Sequence, residues 1–247
     1  MDWDITSSHS GLAMPATQIY DGRDPRDLPA YGIADAARYL DVPAATLRSW
    51  VAGRTYPRQH GVGSFEPLIV PAEPEGASRL SFYNLVEAHV LRALRTKHDV
   101  PLKHVRAALA YAGRELGMPR MLLSEEMQTA GGDIFLEHLG TLVNLSKSGQ
   151  LAVKELLAAH LERVERDRSA IPIRLYPFLV RSAESDSRPV VIDPRVSFGR
   201  PTIAGSGIHT AVLVQRIDAG ESVEAIAADY GLSGAQVKAA VLFERAA

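Results

Sequence analysis

Short polar side chains and arginines, spaced along one helix face, are the groups in this chain with a recognisable chemistry to offer. Ala45, Thr46, Arg48 and Ser49 fall on the outward positions of a helix-forming run, while Leu47 and Trp50 face the other way. Short residues plus one arginine can approach base edges in a major groove. Arg54, Arg58 and Arg79 follow and could reach the phosphate backbone. Groups for bond-making chemistry do not assemble. The eight histidines are scattered, and none pair at i, i+4 around an acid as a zinc-hydrolase helix requires. Gly205-Ser206-Gly207 lacks the frame of a nucleophile elbow or a phosphate loop and reads as a turn. With no nucleophile, base and orienter in reach of one another, no catalysis, metal or cofactor is expected.

The elements that must position the DNA-facing residues are two short helices and a wing. Ile33–Leu40 carries Ile33, Ala36, Ala37 and Leu40 on one face. Asp41-Val42 makes a turn. Pro43 suits the first turn of a second helix, which runs to about Ala52 and stops at Gly53. Phe65–Val70 and Arg79–Phe82 flank a Pro/Gly/Glu-rich tip and predict a β-hairpin directly after the second helix, with Arg79 on its return strand. Amphipathic helices are expected over Tyr83–Lys97 and Pro101–Leu116.

The same helix-pair spacing recurs near the C-terminus. Ala37 is followed at +3, +5 and +10 by Leu40, Val42 and Leu47; Ala227 is followed by Tyr230, Leu232 and Val237. A small residue lets the second helix cross close over the first, and the other three fill the angle between them. Helices are expected near Thr210–Ala219, Ser222–Tyr230 and Ser233–Glu244, preceded by a β-branched strand at Val190–Ile192 and a turn at Asp193-Pro194. Between the two pairs, 117–182 reads as a mixed α/β region. It has a hairpin over Asp133–Leu145 around Gly140, a helix over Gln150–Arg166, and a strand over Pro172–Val180 interrupted by Pro177. Residues 1–30, rich in Pro, Ser and Asp, read as a flexible arm tethered near Ile19-Tyr20. The fold class expected is mainly α with small β elements: an N-terminal winged helix, a small mixed middle region and a C-terminal tri-helical module.

Charge separates the two helix pairs. The net of −2 conceals +2 over residues 31–60 and +4 over 82–120, against −3 over 121–187 and zero over 188–247. Phosphate-neutralising charge therefore surrounds the first pair and not the second. The second pair offers Ser233, Gly234, Gln236 and Lys238 to a groove. Val241, Leu242 and Phe243, read as partly exposed, suit a protein interface better. No apolar run approaches the ~20 residues of a membrane span. The acidic N-terminus lacks a signal-peptide core, and cysteine is absent, so the cytoplasm is the expected compartment.

Two resemblances give these readings a biology. Tyr31-Gly-Ile-Ala-Asp-Ala-Ala, Val42-Pro-Ala-Ala-Thr-Leu-Arg and Val100-Pro-Leu-Lys-His-Val, set around a wing, resemble the MerR-type winged helix over 31–116. Val191-Ile192, Asp193-Pro194, Gly199-Arg200-Pro201 and Ile203-Ala-Gly-Ser-Gly-Ile208, followed by three helices, resemble a small antitoxin-associated domain of unknown function over 189–247. Joined through a spacer, the two are similar to long VapB-type antitoxins, whose partners are PIN-domain ribonuclease toxins. That resemblance implies a protein that neutralises such a toxin and represses its own operator DNA, as a homodimer or a toxin–antitoxin hetero-oligomer. It makes Arg195 and Arg200, with Val241, Leu242 and Phe243, the expected toxin contacts. The alternative is a MerR-like regulator that responds to a small molecule bound in the middle region, without a toxin.

Overall fold

The computed structural model describes residues 20, 22–58, 61–73, 79–96, 100–118, 120–178 and 188–245. Helices α1 (Ile33–Tyr39) and α2 (Ala44–Ala52) lead into a two-stranded antiparallel wing, β1 (Arg54–Arg58) and β2 (Gly61–Phe65). Helices α3 (Phe82–Thr96) and α4 (Leu102–Glu115) follow, then 3-10 turns at Met121–Leu123 and Glu125–Gln128. An αα pair, α5 (Ala130–Val143) and α6 (Lys147–Leu161), precedes a ribbon of β3 (Val164–Arg166) and β4 (Pro172–Leu175). The chain ends with the ribbon β5 (Val190–Val191) and β6 (Thr202–Ile203) and three helices, α7 (Thr210–Asp218), α8 (Val223–Tyr230) and α9 (Gly234–Glu244). The chain is thus mainly helical with short β elements.

The repeated spacing turns out to be a repeated backbone geometry. Ala37, Leu40, Val42 and Leu47 are all buried in one core. Ala227 and Val237 are buried in a second, smaller core, with Tyr230 and Leu232 packed against it. In both turns the residue four after the alanine is left-handed: Asp41 at φ 49° and Gly231 at φ 64°. In both, the next N–H returns to the alanine carbonyl, Val42 to Ala37 and Leu232 to Ala227, each at 2.9 Å. Glycine adopts this conformation freely, whereas a side-chain-bearing residue pays roughly 1–2 kcal/mol. At Asp41 that cost is offset by Arg92 of α3, which donates to the Asp41 carboxylate at 2.7 Å and to the Leu40 carbonyl at 2.8 Å.

Four expectations are corrected. The wing directly after α2 is built from 54–65, with Arg54 opposite Phe65 and Arg58 opposite Gly61, not from Phe65–Val70 and Arg79–Phe82. Pro57 and two glycines make that stretch look like a loop, yet a two-stranded ribbon leaves free edges that tolerate proline. Glu73–Arg79 and Tyr31–Leu80 make only isolated bridges. The hairpin expected around Gly140 is the single helix α5. Its buried Phe135, Leu136 and Leu139 fall at i, i+1 and i+4, and Gly140 is where Gln150 of α6 crosses. A Cβ there would lie 2.6 Å from the Gln150 amide nitrogen. The next helix starts earlier than expected, at Lys147, because Ser146 accepts the Gly149 N–H at 3.1 Å. It also ends earlier, at Leu161, because β3 begins at Val164. The strand expected over Pro172–Val180 stops at Leu175, and residues 179–180 lie outside the described ones.

The presumed arm is also not free over its described part. The Tyr20 hydroxyl donates to the Pro194 carbonyl at 3.2 Å. Arg26 bonds Asp24 at 2.7 Å and approaches Asp167 at 3.6 Å. The Ala30 N–H donates to the Leu80 carbonyl at 2.9 Å. Four prolines and aspartates that read as disorder here hold a pinned turn. Residues 1–19, including Ile19, lie outside the described ones.

A histidine pair seals α3 against α6. His89 Nε2 donates to the His160 carbonyl at 3.0 Å, and His160 Nδ1 donates to the Leu156 carbonyl at 2.9 Å. Phe178 packs on both rings. Among the described residues the other nitrogens, His89 Nδ1 and His160 Nε2, are buried without a partner, so neither ring has an acceptor there for a second proton. Burial pushes His89 well below 6.5 and His160 down to about 4. Below pH 6.5 the unfolded chain therefore binds protons that the folded chain refuses, and stability falls with acid; above 6.5 the pair is silent. Denaturant titrations between pH 7 and 4 should show a loss near 1.4 kcal/mol per pH unit per histidine, about 3 kcal/mol from His160 by pH 4. His160→Gln should flatten that slope without changing its sign.

Candidate nucleic-acid and partner-binding surfaces

Helix α2 presents the expected residues outward. Ala45 and Arg48 are exposed, and Thr46 and Ser49 half-buried. The Ser49 hydroxyl is turned back onto the Thr46 carbonyl at 2.7 Å. Leu47 and Trp50 anchor the opposite face, essentially without solvent contact. The chain after the wing caps the helix, with the Leu68 and Ile69 N–H groups on the Trp50 carbonyl at 2.7 and 3.1 Å. Gly53, at φ 71°, makes the sharp exit, since a Cβ there would collide with the Phe65 carbonyl. The wing is fixed to the body by Arg106 of α4, missed from sequence. It lies 4.8 Å over the Phe65 ring and donates to the Glu66 carbonyl at 2.9 Å. Arg54 and Arg58 sit at the two ends of β1, though their side chains lie outside the described set. Arg79 is exposed but borders a different feature: a cleft of about 560 Å³ shared with Tyr31, Asp35, Phe198 and Arg200.

The C-terminal module docks onto α1 through its last helix. Phe243 is 3% exposed and stacks on Tyr39 at 5.9 Å. Glu244 joins the Arg38 guanidinium to the Thr210 hydroxyl. Phe243 is therefore engaged by its own chain, correcting the expectation that it meets a partner. Its place on the inward face of α9 explains this: Ala239, Ala240 and Phe243 are buried, Val241 is half-buried, and Leu242 remains 42% exposed. In the second helix pair, Ser233 and Gln236 cap one another in a capping box, which leaves Lys238 exposed.

Between β5 and β6 runs an irregular loop that carries Arg195 and Arg200, both exposed. Asp193 is its pivot. The carboxylate is buried and accepts from Arg174 Nε and from the Arg195 N–H, both at 2.9 Å. Ser197 at φ 52° and Phe198 at φ 54° are left-handed, followed by Gly199 at φ 76°. A bulky residue in that region is an outlier, and two in succession cost about 2–4 kcal/mol. Phe198 is nonetheless 70% exposed, with Tyr20 edge-on to its ring at 6.3 Å. Sequence reasoning missed Phe198; the signal was a large apolar residue alone in a turn between two arginines. Among the described residues, no three His, Asp or Glu converge as a metal site would need.

Two family models match this chain. One, described as "Putative DNA-binding HTH domain", matches residues 29–109. The other, described as "Protein of unknown function (DUF433)", matches 190–243. The chain is 32% identical over 233 residues to a Mycobacterium tuberculosis protein named "Putative antitoxin VapB45", covering 87% of this chain and 93% of that one. The chain belongs to the VapB-type antitoxin family. A second M. tuberculosis relative, "Uncharacterized protein Rv2308", is 24% identical over 87% of this chain and 90% of its own length. The crystal structure of Rv2018, from the same organism, superposes with a TM-score of 0.63 at 25% identity, covering 87% of this chain and 97% of that one. Within a VapB-type antitoxin, the 29–109 match spans the helix pair, the wing, α3 and half of α4. The DUF433 match spans the strained loop and the three terminal helices.

The docking contact can be tested directly. Phe243→Ala should cost about 3–5 kcal/mol if the site cannot collapse, read as a lowered midpoint in chemical denaturation. Leu242→Ala, one residue away on the exposed side, should stay within about 0.5 kcal/mol.

Proposed function

We propose that this chain neutralises a PIN-type ribonuclease toxin and represses its own operon in the cytoplasm, without catalysing a reaction. Membership of the VapB-type family over almost the whole length carries the reading, and the outward set on α2 supports its DNA half. In this division, 31–116 reads operator DNA, 117–182 is the mixed spacer and 189–247 meets the toxin. Arg48 and Thr46 probe base edges. Arg54 and Arg58, on the wing, contact phosphates, as a wing beside a recognition helix would. Two copies on a palindrome would place half-sites a whole number of turns apart. On the toxin side, Arg195 and Arg200 offer guanidinium groups to the acidic centre of a nuclease, bidentate pairing being the strong form of that contact. Exposed Leu242 and half-buried Val241 add apolar area.

The DNA half predicts that Arg48→Ala weakens a gel shift on the chain's own promoter by about ten-fold or more while leaving the fold intact. The shift itself should weaken steeply as salt rises, because each phosphate contact releases counterions. A shift indifferent to Arg48 would remove α2 as the reader. The toxin half predicts a complex on co-expression with the product of the adjacent reading frame, lost or unable to block ribonuclease activity in an Arg195→Ala, Arg200→Ala double variant. Full inhibition by that variant would remove the two arginines from the toxin contact.

A further inference from the structure

Arg79 and Arg200 come from opposite ends of the chain and border one cleft. One wall is the N-terminal module, with Tyr31, Asp35 and Tyr39. The other is the strained loop, with Phe198 at the lip. Both arginines are exposed, and among the described residues neither has an ion pair. Asp35 is the one carboxylate among the lining residues, and it already has Arg38 within 3.9 Å. Behind the cleft wall, the Tyr31 hydroxyl is buried with no hydrogen-bond partner among the described residues. It points at Gly199, where any Cβ would collide with it. An aromatic ring held outward on left-handed backbone is costly in isolation, and the two guanidinium groups leave positive charge at the cleft without a carboxylate to match it. One acidic occupant would pair with both arginines and cover the ring.

We propose that this cleft receives an acidic segment of the protein partner, with Phe198 as the apolar anchor, and that Arg79 belongs to this receptor and not to the DNA surface. The proposal rests on the toxin reading above. A carboxylate can take a bidentate contact from a guanidinium. An aromatic side chain flanked by arginines is the composition of a protein–protein hot spot. A DNA backbone fits less well, because none of Ala45, Thr46, Arg48 or Ser49 lines the cleft, and a phosphate rail has no use for an exposed phenyl ring.

The test uses the full chain, the purified product of the adjacent reading frame and a promoter fragment. Arg79→Ala, Arg200→Ala and Phe198→Asn are compared with the unsubstituted chain by calorimetric titration, gel shift and thermal melting. Asparagine tolerates the left-handed backbone, so Phe198→Asn should keep its melting temperature. Each variant should bind the partner at least about tenfold more weakly, with DNA binding unchanged, and Arg48→Ala should show the opposite pattern. Partner affinity unchanged in all three variants overturns the proposal. So does weaker DNA binding by Arg79→Ala with the partner unaffected, which returns Arg79 to the phosphates. If the unsubstituted chain forms no complex with that product, the toxin reading falls and this occupant falls with it.

Discussion

The contact of α9 on α1 governs how the two ends of this molecule can act. Tyr39 and Phe243 stack, while Glu244 ties Arg38 to Thr210, so a helix that begins the first helix pair carries the helix that ends the second. The ion pair is sheltered, with Arg38 and Glu244 retaining 24% and 11% of their side-chain exposure. A shielded pair that also holds a second hydrogen bond resists solvent competition better than a surface pair worth 0–1 kcal/mol at most, by rough rule. The main core runs through α1 to α6 and takes in Val190, Ile192 and Phe243. The three-helix cluster around Leu213, Ile226 and Val237 stands apart from it. The C-terminal module is thus its own small core, fastened to the larger one at β5 and at α9.

That fastening has a geometric consequence. The Leu175–Ile192 bridge joins β4 to the strand before the irregular loop, and the Arg174–Asp193 bond pins the loop's first residue. On the far side, α9 is fixed on α1. The loop between these anchors is held against the Tyr31 hydroxyl with glycine as the one residue that fits at 199. The cleft between the modules therefore exists because both anchors hold. Neither module alone would form it.

Much of this was legible in the sequence, for a physical reason that differs between elements. The C-terminal helices are bounded by their own chemistry: Ser222 and Ser233 cap the starts of α8 and α9, and Gly231 ends α8. Such signals are local, so they survive without tertiary information. Helix α5 was not legible, because Asp133–Leu145 alternates apolar and polar residues over a span short enough to fit either period, and its glycines answer to close packing rather than to turns. The wing was hidden by Pro57 and by glycines that a two-stranded ribbon tolerates. The outward set on α2 could be read from helical period alone. The inward turn of Phe243 could not, because it depends on a surface 200 residues away in the chain. Arg79 could be counted as a basic residue, but only the fold reveals that it borders the same cleft as Arg200.

The strained loop shows why stability and recognition separate here. Ser197 and Phe198 hold left-handed backbone that glycine or asparagine would adopt at less cost, and the ring gains little shelter in return. Were the loop selected for folding alone, a bulky apolar residue at its most exposed point would be the least favoured choice, since it pays strain without burial. In the complex proposed above the ring would be covered, and its gain would be realised there. The backbone bonds from Gly199 to Val196 and from Arg200 to Ser197 fix its direction before any partner arrives. The ordering entropy that binding would otherwise cost is already met by the fold.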